Sequence, residues 1–217
     1  MHYLTQDEVL SLLEVAYKED RLLHLAALVS IGHGLRITEM RSLTIDDVDG
    51  HYLKVAGLKD GEKTLEPLYG SANPLFNELT LAVHAHGIRL ADQRLLFGLS
   101  RQAWDKKLRR IAELAGLPKA KWHWHALRHT CGHMVFTRTI SLGCVQQALR
   151  HRSISSSLVY LQEFDAGRAY AAIAQGMVRL WQDEALRREL SVRGLERADG
   201  FSWEKTASQT LSAYARA

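Results

Sequence analysis

Only two cysteines, Cys131 and Cys144, occur in 217 residues, and three prolines. The first scarcity rules out a disulfide framework, and the second rules out a proline-rich linker between domains. The opening MHYLTQDEVL has no basic block followed by an apolar one, as a secretory signal would. The most apolar stretch, LLHLAALVSIGHGL, is broken by two histidines and runs straight into Arg36, so it falls short of a membrane span. Repeats and low-complexity tracts are also missing. These absences point to a soluble cytoplasmic protein. What is present, 47% hydrophobic and 24% charged residues, is enough for one good core or two small ones.

Charge is unevenly spread. The net charge is +4 and the isoelectric point about 9.1, a mild surplus that suits a polyanionic partner. Between Arg101 and Arg128 eight basic residues face only Asp105 and Glu113, a local surplus of six that exceeds the charge of the whole chain. Lys106, Lys107, Arg109, Arg110 and Lys121 in this tract are candidate DNA contacts. A solvated helix face is the plain alternative.

Periodicity divides the chain. Val9, Leu12, Leu13 and Ala16, then Leu22, Leu25, Ala26 and Val29, recur at three- and four-residue intervals and predict two helices between Thr5 and Ser30. Thr5 with Glu8 three residues on forms a capping box. A further helix is expected through ITEMRSL after Leu35, with Gly32 and Gly34 as a flexible entry. HYLKVAGLKDGEKTLEPLYG alternates, turns at Lys-Asp-Gly and closes at Pro67, which predicts a β-hairpin. From Asn73 onward the pattern is helical again. The expected fold is therefore mainly α with a small antiparallel β-sheet, and a boundary near Gly167 divides a domain of residues 1–166 from a helical tail of residues 167–217.

Four patterns stand in order along the chain: GLRITEM around Arg36, LKDGEK around Lys59, HALRH from His125 to His129, and RHRSISSSLVY ending at Tyr160. Each alone is weak, but the ordered set is specific. Together they resemble the tyrosine recombinase, or phage integrase, family over roughly residues 3–165. In that family a G-L-R-x-x-E segment supplies one arginine. A hairpin lysine, an H-x-L-R-H box, a second histidine and the nucleophilic tyrosine follow. The resemblance implies helices around a small antiparallel sheet, and a site-specific recombinase or integrase that cuts and rejoins DNA through a 3′-phosphotyrosyl intermediate. It places Arg36, Lys59, His125, Arg128, His151 and Tyr160 in the catalytic roles, with no cofactor and no metal.

The chemistry accounts for these residue types. Attack on a phosphodiester loads charge onto the non-bridging oxygens, which planar guanidinium groups neutralise two at a time, so Arg36 and Arg128 would form a clamp. His125 and Arg128, three apart on a helix, share a face, and by resemblance His125 would help take the tyrosine proton. Lys59, or Lys63 across the same turn, would protonate the leaving 5′-oxygen. A tyrosyl phosphodiester retains the energy of the broken bond and lets the strand reseal without ATP. The alternatives are a surface Arg36 paired with Glu39, a capping or core His125, an ordinary hairpin lysine and a half-buried Tyr160.

The chain departs from the family at Arg150, where glycine usually precedes the second histidine. Arg150 and Arg152 then become candidate phosphate contacts. This departure keeps open a second reading, a catalytically impaired DNA-binding module derived from a recombinase. His123, His125, His129, Cys131 and His133 offer a third, a zinc site, but no paired C-x-x-C completes it. The resemblance further implies double-stranded DNA as partner, a homo-oligomer that is tetrameric on DNA, and association with the nucleoid. Family members usually carry a helical DNA-clamping domain ahead of this one, so the chain is expected to be a fragment or a minimal enzyme. The tail, with FSWEKTA, is similar to the end of GT-B glycosyltransferases, and its amphipathic character suits a role in assembly.

Overall fold

A computed structural model of the chain describes residues 2–56, 63–91, 94–163 and 166–199. It comprises two compact units, residues 1–163 and 164–217.

The first unit begins as its sequence predicts. Helix α1 (Gln6–Glu19) starts at a capping box in which the Thr5 hydroxyl accepts from the Glu8 amide and the Glu8 carboxylate accepts from the Thr5 amide. Asp20 ends α1 and caps α2 (Arg21–Gly32), accepting from the amide of Leu23 at 3.0 Å. Leu12, Leu13 and Ala16 of α1 and Leu23, Ala26 and Val29 of α2 are buried together.

The glycines at the end of α2 and just beyond it are close-approach sites and do not form a flexible entry. A side chain at Gly32 would sit 2.0 Å from Glu78 Oε1, and Gly34, at φ +58°, lies against Leu149 and Cys131. The short α3 (Ile37–Ser42) follows.

The sheet has three antiparallel strands in sequence order: β1 (Val48–Asp49), β2 (Tyr52–Ala56) and β3 (Lys63–Pro67). Leu53 and Val55 of β2 point into the core while β3 forms an exposed edge, with Leu53 opposite Glu66 and Val55 opposite Thr64.

Helices α4 (Thr80–Leu90), α5 (Arg101–Leu114), α6 (Trp124–Thr139) and α7 (Leu142–Ala148) follow, and then a long 3₁₀ segment, Ile154–Glu163. Ser100 caps α5, which buries Trp104, Leu108 and Ile111 in the main core. His123 caps α6, its Nδ1 accepting from the Ala126 amide at 3.0 Å. That role fixes one of the histidines considered as zinc ligands. A second, smaller core gathers Cys131 and Phe136 of α6, Val145 of α7, Leu149 and Tyr160.

The described part of the second unit consists of two helices, α8 (Ala166–Gln182) and α9 (Glu184–Asp199). Asp183 caps α9, accepting from the Leu186 amide, and the pairs Glu184 with Arg188 and Glu189 with Arg193 support it at i, i+4 spacing. The FSWEKTA segment lies outside the described residues. No helix among the described residues is long and apolar enough to cross a membrane.

Candidate active site

Helix α6 organises the site. Its first two turns carry His125, Arg128 and His129, and its next turn carries Cys131 and Gly132, so one helix faces both a polar cavity and the second core. The cavity, about 500 Å³, is lined by Arg36, Arg128 and His125 together with Arg101, Arg109 and Trp122. Arg101 and Arg109, with Asp105 between them, lie at i, i+4 and i+8 of α5, a stripe that helical period would have picked out. Arg101 and Trp122 were not among the expected site residues.

Arg36 stands at the N-cap of α3. Its Nη1 donates to Glu39 Oε1 at 2.6 Å and its amide donates to Glu39 Oε2 at 2.8 Å. The ion pair proposed as the plain alternative for Arg36 therefore forms, yet Glu39 is buried and Arg36 still lines the cavity. Pairing fixes the arginine within the site and does not remove it.

Arg128 is 2% exposed. Its guanidinium donates to the carbonyls of Gly34 and Leu149, and Nη1 lies 3.7 Å from Glu39 Oε2. Burial, and then the nearby Arg36 charge, lower its pKa to about 10, which leaves it a cation at neutral pH.

His125, His129 and His151 are kept neutral. His125, exposed at the cavity, has a lowered pKa through desolvation and the Arg128 charge. His151 falls to about 4, first through burial and then through Arg128 and Arg36. Its Nδ1 is 2.9 Å from the hydroxyl of buried Ser157. A hydroxyl donating to Nδ1 fixes the proton of the neutral ring on Nε2, as a donor towards a phosphate oxygen would need.

Tyr160 lies in the second core, 2% exposed. Its hydroxyl is 3.1 Å from Nδ1 of His129, whose own ring meets His125 edge to face at 4.2 Å. Desolvation and the adjacent His125 lower the His129 pKa to about 4. The hydroxyl sits over Gly132, where a Cβ would lie 2.3 Å from it. His129 was considered from the sequence only as the end of the HALRH box and as a zinc ligand, and Gly132, one helical turn after Arg128, was not singled out.

The remaining expected residues divide sharply. Lys59 lies outside the described residues, and its fallback Lys63 is ion-paired with Asp47. Arg152, Lys106 and Arg109 are exposed. Lys107, Arg110 and Lys121 pair with Asp20, Glu19 and Glu8, which anchors α5 and the turn after it to the ends of α1. Arg150 faces inward: its guanidinium meets Glu66, Glu39 and backbone carbonyls and is not presented to an external phosphate. No group of three or more His, Cys, Asp or Glu side chains among the described residues could hold a metal ion. Cys131 is buried, its thiol pushed up to about 12, and His133 stacks on Tyr3.

Comparison with known proteins decides what this arrangement belongs to. The phage integrase family model matches residues 2–166. The chain belongs to the phage integrase family. Among curated members, tyrosine recombinase XerA of Pyrococcus furiosus is 30% identical over 165 residues, covering 72% of this chain and 56% of that protein. The type 1 fimbriae regulatory protein FimB of Escherichia coli K12 is 30% identical over 177 residues, covering 78% of this chain and 88% of that protein. The chain thus spans little more than half the length of the XerA relative.

Solved structures of integrase-family recombinases share the fold. XerH bound to palindromic difH substrate, in a post-cleavage complex, aligns with a TM-score of 0.63 at 23% identity, over 84% of this chain and 54% of that one. The XerA recombinase structure aligns with a TM-score of 0.61 at 24% identity, over 81% and 64%. The likeness of the tail to glycosyltransferases is not borne out, because the matched proteins are recombinases and the family match ends at residue 166.

Proposed function

We propose that the chain is the catalytic domain of a site-specific DNA recombinase, which cleaves one strand at a time through a 3′-phosphotyrosyl link at Tyr160. The observation that carries this reading is the convergence on α6: Arg128 and His125 face the cavity shared with Arg36, while His129, one turn on, holds the Tyr160 hydroxyl.

A scissile phosphate in the cavity would meet two guanidinium groups as charge builds on its non-bridging oxygens. His151 would donate from Nε2 to the same phosphate. Tyr160 Oη would then attack phosphorus, passing its proton to a histidine, and the bond to the 5′-oxygen would break. That oxygen needs a proton, which the hairpin lysine, Lys59 in our reading, would supply. Tyr160 must leave its place over Gly132 to reach the phosphate, so cleavage is coupled to a movement of the 3₁₀ segment. Double-stranded DNA is the partner, with Lys106, Arg109 and Arg152 as outward-facing contacts. A homotetramer on DNA at the nucleoid and a tail serving assembly complete the proposal.

A nicked suicide duplex tests it. The expected result is a covalent protein–DNA adduct that is absent in Tyr160→Phe, while duplex binding is kept. Binding without an adduct on any cognate DNA would favour a DNA-binding module that has lost catalysis.

A further inference from the structure

Arg150 stands where the family pattern has glycine, and its backbone is in the glycine-like conformation, φ +51°. A non-glycine residue is uncommon there and costs about 1–2 kcal/mol, so the side chain must be held by its surroundings. It is: the guanidinium is 7% exposed and reaches three elements at once. Nη1 donates to Glu66 of β3 and to the Ala148 carbonyl at 3.2 Å. Nη2 donates to the carbonyls of His33 at 2.9 Å and Gly34 at 3.3 Å, and to Glu39 Oε2 at 3.3 Å.

Two of these partners belong to the cavity's own machinery. Glu39 is the carboxylate that seats Arg36 and lies beside Arg128, and the Gly34 carbonyl is shared by Arg128 and Arg150. Glu66 also binds His33, which in turn binds Glu78. Four cations (Arg36, Arg128, Arg150 and protonated His33) therefore face three carboxylates. Without Arg150 the numbers would be equal, and Glu39 would be balanced by the two clamp arginines alone.

We propose that Arg150 is a positioning residue. By occupying Glu39 and Glu66 together it fixes Arg36 and Arg128 against the sheet and leaves a net positive charge for the phosphate. A lysine cannot do this, because one ammonium group lacks the planar fork that spans two carboxylates and several carbonyls.

The proposal rests on the recombinase reading, and the experiment separates the two. Arg150→Gly, Arg150→Lys and Glu66→Gln are compared with the wild-type chain for duplex affinity and for single-turnover adduct formation at saturating nicked duplex. A misplaced clamp predicts affinity within about threefold of wild type and an adduct rate reduced about 10- to 100-fold in Arg150→Gly. Arg150→Lys should give no rescue, and Glu66→Gln should show a defect in the same direction. On a duplex with a methylphosphonate at the scissile position, where one non-bridging oxygen is replaced by methyl, the variant's deficit should shrink, which a general loss of folding would not produce.

A wild-type rate in Arg150→Gly would overturn the proposal. So would an unchanged saturated rate with weakened, less salt-dependent binding, the signature of a direct phosphate contact. If Arg150→Gly fails to fold, Glu66→Gln decides: a wild-type rate there overturns the proposal as well. If the wild-type chain forms no adduct, the recombinase reading fails by itself, and the Arg36 Nη–H resonances then judge Arg150. They should be resolved and slow to exchange in the wild type and averaged in Arg150→Gly or Glu66→Gln, whereas identical spectra would refute the positioning role.

Discussion

The arginine cluster and the tyrosine pocket lie on neighbouring parts of α6 but are held by opposite means. Around Glu39, charged groups are buried against one another, each guanidinium meeting carboxylates or several carbonyls. Around Tyr160 the hydroxyl meets the neutral imidazole of His129 and lies in a notch left by a glycine. Buried ionic networks are costly to rearrange, because any intermediate leaves a desolvated charge unpaired. Neutral hydrogen bonds exchange with water at a net cost near 1 kcal/mol. On the proposed function, the molecule thus has a rigid receptor for the phosphate and a nucleophile on a lighter fastening.

Glu39→Gln attacks the rigid side and should have the largest effect. Removing the central carboxylate charge leaves Arg36, Arg128 and Arg150 facing one another, and urea unfolding should show a loss of about 3–5 kcal/mol. A loss below about 1 kcal/mol would mean that the cluster is not rigid.

The same side has a pH signature. Burial alone would lower the His33 pKa, but its hydrogen bonds to Glu66 and Glu78 raise it to about 9. A raised folded pKa stabilises most where the group is protonated in both states. The contribution is therefore full below about pH 6.5, shrinks above it and is gone once pH passes about 9. The stability difference between wild type and His33→Gln, followed by urea titration from pH 6 to 10, should narrow over that range. A constant difference would refute the ionised pair.

The tyrosine side should respond less. Gly132→Ala gains about 1 kcal/mol of helix propensity but places a methyl against the Tyr160 hydroxyl and Leu149, an overpacking cost of about 1–3 kcal/mol. A net loss of up to about 2 kcal/mol with a more accessible tyrosine, read by calorimetry and tyrosine difference absorption, is expected. Stabilisation would show that the notch is not tight.

His129→Ala should be the mildest, about 1 kcal/mol, with adduct formation unchanged or faster because the tyrosine is released. A tenfold slower reaction would instead make His129 a proton acceptor in the chemistry.

What could be read from the sequence follows this contrast. The Thr5–Glu8 capping box, the paired early helices, the hairpin and the order of the motif residues are local signals, and the structure shows helices, sheet and capping box as expected. The inward turn of Arg150 was not legible, because its partners Glu39 and Glu66 lie 111 and 84 residues away and no local pattern joins them. The surface role expected of an arginine beside a histidine gave way to long-range charge pairing. Nor could the sequence show that Tyr160 rests on Gly132, since the notch consists of a side chain that is missing.

The ion pairs between α5 and α1 also bear on thermodynamics in salt. Lys107, Arg110 and Lys121 already have Asp20, Glu19 and Glu8 as counter-charges, so of the surplus of six counted along residues 101–128 about half is internally compensated. Binding to a duplex releases roughly one condensed cation for each phosphate that a protein cation neutralises. The ions set free on binding should therefore number those of the uncompensated residues, Lys106 and Arg109 among them, and a count of basic letters in the tract would overstate how steeply affinity falls as salt is added.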